Sequence, residues 1–160
     1  MKLFGALILL LAALGLSRGY GKYISDGIGQ AEAFREFFVG LKSHLSLSGA
    51  PIDVYISAFD NPILNELGFL REYERSKSLY DAFLTVRARL FMPNDVKRMI
   101  EEILFGLGKG SLSSEIRFVE NGLLELKELI TQYKTEAGKS ARIVSFVIAA
   151  VVIGILIFLL

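Results

Sequence analysis

Apolar side chains recur at helical spacing along residues 113–141, at Ile116, Val119, Leu123, Leu126, Ile130, Tyr133 and Ala137. The positions between them are mostly Glu, Lys, Arg, Asn and Gln, the pattern of a helix packed along one face. At Ile143 this pattern stops, and the chain stays apolar and uncharged through Leu160. As a helix that stretch spans roughly 27 Å, close to the thickness of a bilayer core. Fourteen of its residues are Ile, Val, Leu or Phe, which makes insertion favourable by several kcal/mol, on the order of a few tenths each. Only Gly138 weakens the junction, by about 1 kcal/mol. The pattern predicts a helix that leaves a soluble domain and ends as a C-terminal membrane anchor over 143–160.

A second apolar run covers residues 3–17, with Lys2 before it and Arg18 and Lys22 after it. It reads either as a cleaved secretory signal or as a short retained membrane helix over 1–18. The retained helix is the expectation, because no A-x-A cleavage site precedes the soluble part. Gly15, Gly19, Gly21, Gly27 and Gly29 then predict a weakly structured exit. A helix is expected from about Ile24 or Gln30 to Leu47, with a stripe of Ile24, Ile28, Ala31, Phe34, Phe38, Leu41 and Leu45, widened by Phe37.

Further on, Ser48, Gly49 and Pro51 mark a turn, with Pro51 in the first turn of a short helix carrying Ile52, Tyr55, Ile56 and Phe59. Pro62 opens a helix using Ile63, Leu64, Leu67 and Leu70. Ser76 or Ser78 suits a cap for the next helix, which turns Leu79, Ala82, Phe83, Val86 and Leu90 inward. Asn94 is the expected cap of a helix with a stripe of Val96, Met99, Ile100, Ile103, Leu104 and Leu107. Residues 106–111, including Gly108, Lys109, Gly110 and Ser111, should form a tight turn between two antiparallel helices. No stretch alternates long enough to predict a strand. The fold class is all-α: an antiparallel helical bundle over 19–142 between N- and C-terminal transmembrane helices.

Composition narrows the chemistry. The chain has no Cys and one His, which excludes disulfides, thiol catalysis and thiolate metal sites. Lys and Arg number 18 against 17 Asp and Glu, a balance without the footprint of a nucleic-acid binder. A phosphate-binding loop needs G-x-x-x-x-G-K-[ST] after a strand. Here Lys109 is followed by Gly110, and the Gly138-Lys139-Ser140 sequence has Tyr133 at the position of the leading Gly. His44 has no second ligand at metal spacing and reads as a boundary or surface residue. Glu101 and Glu102 are adjacent on a helix and point about 100° apart, as a solvated face rather than a catalytic dyad. No cofactor, metal or catalytic residue is expected, and the chain does not read as an enzyme.

Ala150 and Gly154 form a small-xxx-small pair in the C-terminal segment. It would allow close contact with the N-terminal anchor or with another subunit, a homo-oligomer included. Arg18, Lys22, Lys134, Lys139 and Arg142 flank the apolar runs on the side of the soluble region. The positive-inside bias then places that region in the cytoplasm.

The layout resembles the stage III sporulation protein AB family of endospore-forming bacteria. Lys2-Leu3-Phe4-Gly5-Ala6-Leu7-Ile8-Leu9-Leu10 is similar to that family's usual start. Pro51 falls where the family has a Thr-Pro-Leu-Pro segment. Leu107-Gly108-Lys109 through Glu115-Ile116 matches a Leu-Gly-Lys-Ser-Asp segment before the long last helix, with Gly110-Ser111 in place of Ser-Asp and Glu115 where Gln is usual. The resemblance implies a fold similar to the cytoplasmic domain of type II secretion F proteins and pilus-assembly platform proteins. It implies a platform in the mother-cell membrane around the forespore. The implied partners are a cytoplasmic secretion-type ATPase and other membrane subunits of a sporulation channel. Candidate contact turns are Ser48, Gly49 and Pro51, and Gly108, Lys109, Gly110 and Ser111. The rival expectation is an exported binding protein held by its C-terminal tail.

Overall fold

The structure, a computed structural model, describes the backbone of residues 2–159, and side chains except at 1–10, 13, 14, 16, 156 and 158–160. Among the described residues there are seven α-helices and no strand. They are α1 (Lys2–Leu47), α2 (Ile52–Ala58), α3 (Pro62–Leu67), α4 (Phe69–Ser76), α5 (Leu79–Val86), α6 (Asn94–Gly106) and α7 (Leu112–Leu159), with a 3-10 turn at Arg87–Arg89 after α5. The chain divides into two compact units, residues 26–133 and residues 1–25 with 134–160. The side-chain packing expected of an N-terminal membrane helix over 1–18 lies mostly outside the described residues.

The first correction concerns α1. The glycines at 15–29 do not interrupt it; the helix is continuous from Lys2 to Leu47. A glycine costs a helix about 1 kcal/mol, whereas a proline, which costs ~3, is absent here. One of these glycines, Gly27, is needed for packing. A Cβ at Gly27 would stand 2.6 Å from the Tyr133 hydroxyl and 3.0 Å from the Phe91 carbonyl oxygen, and one at Gly29 would touch Ile63. What reads as a breaker is a place of close approach.

Aromatic residues of α1 centre the 26–133 unit. Phe34, Phe37, Phe38 and Leu41 are fully buried. The Phe37 ring packs edge-on to Phe38, Phe59 and Phe69, at 5.6, 5.3 and 5.7 Å, while Phe34 meets Phe69 and Phe83 at 5.1 and 5.5 Å. These edge-to-face pairs add to the burial of the rings themselves. α1 and α7 run antiparallel within this unit: Gly27 meets Tyr133 at one end, and Lys42 pairs with Glu120 at 2.6 Å further along. α6 and α7 are antiparallel too, since Gly106 lies against Phe118 and Gly122 against Ile103.

The short helices follow their caps. Asn61 accepts from the amides of Ile63 and Leu64, with Pro62 in the first turn of α3, and Ser78 accepts from Asp81 N. The helix expected through Leu70 is broken at Gly68, whose φ of +80° closes α3 and starts α4. That left-handed geometry costs glycine little. Pro51 and Pro93 occupy the N-cap positions of α2 and α6, so Asn94 is the first residue of α6 rather than its cap.

One buried polar residue ties the connection between α5 and α6 to α1. Gln30 is almost fully buried, and its Oε1 accepts from the Phe91 amide at 2.8 Å. Gln30→Leu takes that acceptor away and should destabilise the fold by about 1–3 kcal/mol. Urea unfolding of the full chain in detergent measures it.

Candidate functional site

The two turns singled out in the sequence meet at one end of the 26–133 unit. Gly49, at φ +57°, lies so that a Cβ there would stand 3.7 Å from the Leu112 side chain at the start of α7. Ser48 closes α1: its hydroxyl donates to the His44 carbonyl at 2.8 Å and accepts from the Ala50 amide at 3.2 Å. Ser111 opens α7, its carbonyl accepting from the amides of Ser114 and Glu115, and Gly110 lies against Ser114. Gly108 has φ +78°. Lys109 sets its ammonium 2.9 Å from the centre of the Phe105 ring, a cation–π contact. Pro51, Gly108, Lys109, Gly110 and Ser111 are all exposed. Around these turns the surface is apolar: Leu47 is 85 % exposed, Phe105 57 %, and Leu112 is also exposed. Sequence reasoning named the turns but not that they share an end or carry this cluster.

A groove of about 860 Å³ opens between α2 and α4, lined among others by Asp53, Phe59, Arg71, Tyr73, Glu74 and Lys77. Its polar groups connect helices. The Tyr73 hydroxyl donates to Asp53 Oδ1, and the neighbouring Tyr55 hydroxyl donates to the Phe37 carbonyl at 2.7 Å. Burial first, then the hydrogen bond and charge of Asp53, push the Tyr73 phenol from 10.0 up to about 12. Burial, with the charge of Glu36, raises Tyr55 as well. A phenol whose pKa is higher folded than unfolded contributes stability in full below the unfolded value. That stability is lost as pH rises through the folded value. Stability should therefore fall between pH 10 and about 12, and Tyr73→Phe should flatten the decline in melts recorded across that window.

The remaining sequence candidates have structural partners. Glu101 is half-buried rather than solvated, its carboxylate held by Arg87 at 3.2 Å and by the Tyr80 hydroxyl at 3.4 Å. Burying α5 against α6 partly covers it. Glu102 points elsewhere, 3.8 Å from Arg98. His44 is half-buried against the Tyr55 ring, 5.6 Å between centres. Among the described residues no cluster of His, Asp and Glu has the arrangement of a metal site.

α7 is the one helix among the described residues that is long and apolar enough to cross a membrane. Its candidate span, Leu112–Ile155, has a mean hydropathy of 1.8 in its most apolar stretch, none of it buried within the chain. Phe146 is 81 % exposed, and Ile143, Val147, Val151 and Ile153 are exposed with it. Ala150 lies on the exposed surface, and a Cβ at Gly154 would meet nothing within 4 Å.

Comparison with known protein families, curated proteins and solved structures finds no match for this chain.

Proposed function

We propose that this chain is a non-enzymatic membrane platform, whose helical domain binds a partner at the turn end and whose α7 holds that domain to the bilayer. The observation that carries the reading is α7 itself: one helix that packs in the domain through Val119, Leu126 and Ile130 and continues into an exposed apolar stretch. A soluble protein rarely leaves so much contiguous apolar surface to water. The exposed Leu47, Phe105 and Leu112 give the partner-binding end its chemistry, an apolar patch beside the Lys109 ammonium.

The finer assignment rests on the sequence resemblance. In that assignment the platform belongs to a sporulation-specific channel complex in the mother-cell membrane. It couples a cytoplasmic secretion-type ATPase to other membrane subunits. Coupling would be mechanical or allosteric, as the sequence offers no catalytic constellation.

Topology tests it. The chain lacks Cys, so Ser48→Cys or Ser113→Cys introduces the only thiol. A membrane-impermeant maleimide should label either variant in permeabilised cells and not in intact ones, with the chain at full length. Labelling from outside on a shortened chain would sink the platform and favour the exported, tail-held binding protein.

A further inference from the structure

A second groove, of about 430 Å³, reaches the turn end of the 26–133 unit. Ile52, Leu79, Leu104 and Leu107 line it, together with the rings of Tyr80 and Phe105, which meet edge-on at 5.2 Å. Gly108 of the 108–111 turn borders it. The exposed Leu47 and Leu112 continue the apolar surface at the same end of the unit.

Two ammonium groups stand beside this groove. Lys77 lines it, with its Nζ 6.0 Å from the centre of the Tyr73 ring, and the Lys109 Nζ rests on the face of Phe105. Neither has a carboxylate at ion-pair distance among the described residues. The acid in the lining is Asp81, in the first turn of α5, where a helix N-terminus favours its charge. Glu101 reaches Tyr80 but is already paired with Arg87. Two cations against one acid leave the rim positive.

Lys77 carries a second, independent sign of use. Its φ of +54° makes it the only non-glycine residue with positive φ among the described residues, and Gly49, Gly68 and Gly108 hold the other such positions. A side chain there costs energy that glycine does not. The chain thus keeps an ammonium where the backbone alone favours glycine, and strain of this kind collects at binding sites. Lys77 also ends α4, so its charge meets that helix's C-terminus; the variants below separate the two roles.

The surface defines its occupant by shape and charge. Apolar area that runs past the groove onto Leu47 and Leu112 exceeds a small ligand. No strand edge is present among the described residues for an extended segment to join, which leaves the mode in which a helix lays its apolar face into a groove. Unpaired cations at the rim select carboxylates on that helix.

We infer that this groove binds an acidic amphipathic helix of a partner protein, whose apolar side chains seat against Tyr80, Leu104 and Phe105 and whose carboxylates meet Lys77 and Lys109. This rests on the reading of the turn end as the partner-binding end and makes that partner's chemistry specific.

The test uses the full chain in a neutral detergent, with a fluorophore on Ser113→Cys at the turn end or on Ala88→Cys in the 3-10 turn after α5. The probes are two synthetic helical peptides of about eighteen residues, or five turns. Each has Leu along one face and carries a quencher; one has Glu on its other face, the second has Lys. The shared apolar face makes both partition alike into neutral micelles. The acidic peptide should quench Ser113→Cys saturably, at a concentration several-fold below that required by the basic one, and leave Ala88→Cys unchanged. In about 0.5 M salt the two peptides should converge.

Lys77→Gly should weaken the acidic peptide about two- to fivefold with no fall in melting temperature, because glycine relieves the backbone. Lys77→Arg should retain the affinity, and Phe105→Ala should lower it about tenfold. A Lys77→Gly chain that binds as tightly as the parent overturns the inference. Equal quenching of Ser113→Cys by the two peptides also overturns it, and leaves the turn end as an apolar docking surface. No quenching by either peptide overturns the inference and the partner-binding turn end together.

Discussion

Phe37→Ala should destabilise the domain by about 3–5 kcal/mol, against a whole-domain stability on the order of 5–15. Phe37 is fully buried and its ring meets Phe38, Tyr55, Phe59 and Phe69. Removing it empties the junction of α1, α2 and α4, which Phe69 cannot fill without giving up its edge-on contact with Phe34. The same substitution at Phe105, which is largely exposed, should cost less than about 1 kcal/mol, because little transfer energy is lost. Urea unfolding of the two variants, in the detergent used for the parent chain, decides the matter. Equal losses would mean that the aromatic cluster is not the centre of the fold.

The second large effect concerns the apolar end of α7. A chain reduced to residues 19–142 should move to the soluble fraction, and restoring 143–160 alone should return it to the membrane. Fourteen large apolar residues in that stretch, at a few tenths of a kcal/mol each, sum to several kcal/mol, a partition shift of more than about a hundredfold. Val151→Arg in the restored chain should offset roughly 2.5–3.5 kcal/mol of that gain. Sedimentation after alkaline extraction reads all three. A restored chain that stays soluble would end the anchor reading.

Much of the fold was legible because burial followed period. Val119, Leu126, Ile130 and Ala137 were expected inside and are buried, as are Phe34, Phe37, Phe38 and Leu41 on α1. Pro62 after Asn61, and Ser78 before Leu79, announced their helices by side-chain chemistry that acts locally. The failures arose where a residue's role depended on a distant neighbour. Gly27 looks like a breaker until Tyr133 and Phe91 are beside it, and Gly122 is a plain helical glycine until Ile103 presses on it. Gln30 carried a usable signal, since it falls on the apolar stripe four residues before Phe34 and seven before Phe37. A polar side chain at such a position needs a buried partner. Nothing in the sequence named Phe91 as that partner. The turns at 48–51 and 108–111 were legible as turns, but their meeting at Gly49 and Leu112 was not. That proximity depends on α1 and α7 lying side by side, a pairing across most of the chain.

That pairing also sets the order of assembly. Lys42 and Glu120 are 78 positions apart, whereas Phe37 finds Tyr55, Phe59 and Phe69 much nearer in sequence. Contacts of short separation close with little loss of loop entropy and form early, while distant ones limit the rate. During synthesis the aromatic half of the domain can collapse once α4 has been made. The core partners of Val119, Leu126 and Ile130, which are buried in the finished unit, then wait until α7 arrives. The nascent chain thus presents an unfilled apolar seam until α7 has been made, and this interval is when it most needs a chaperone or prompt delivery to the bilayer.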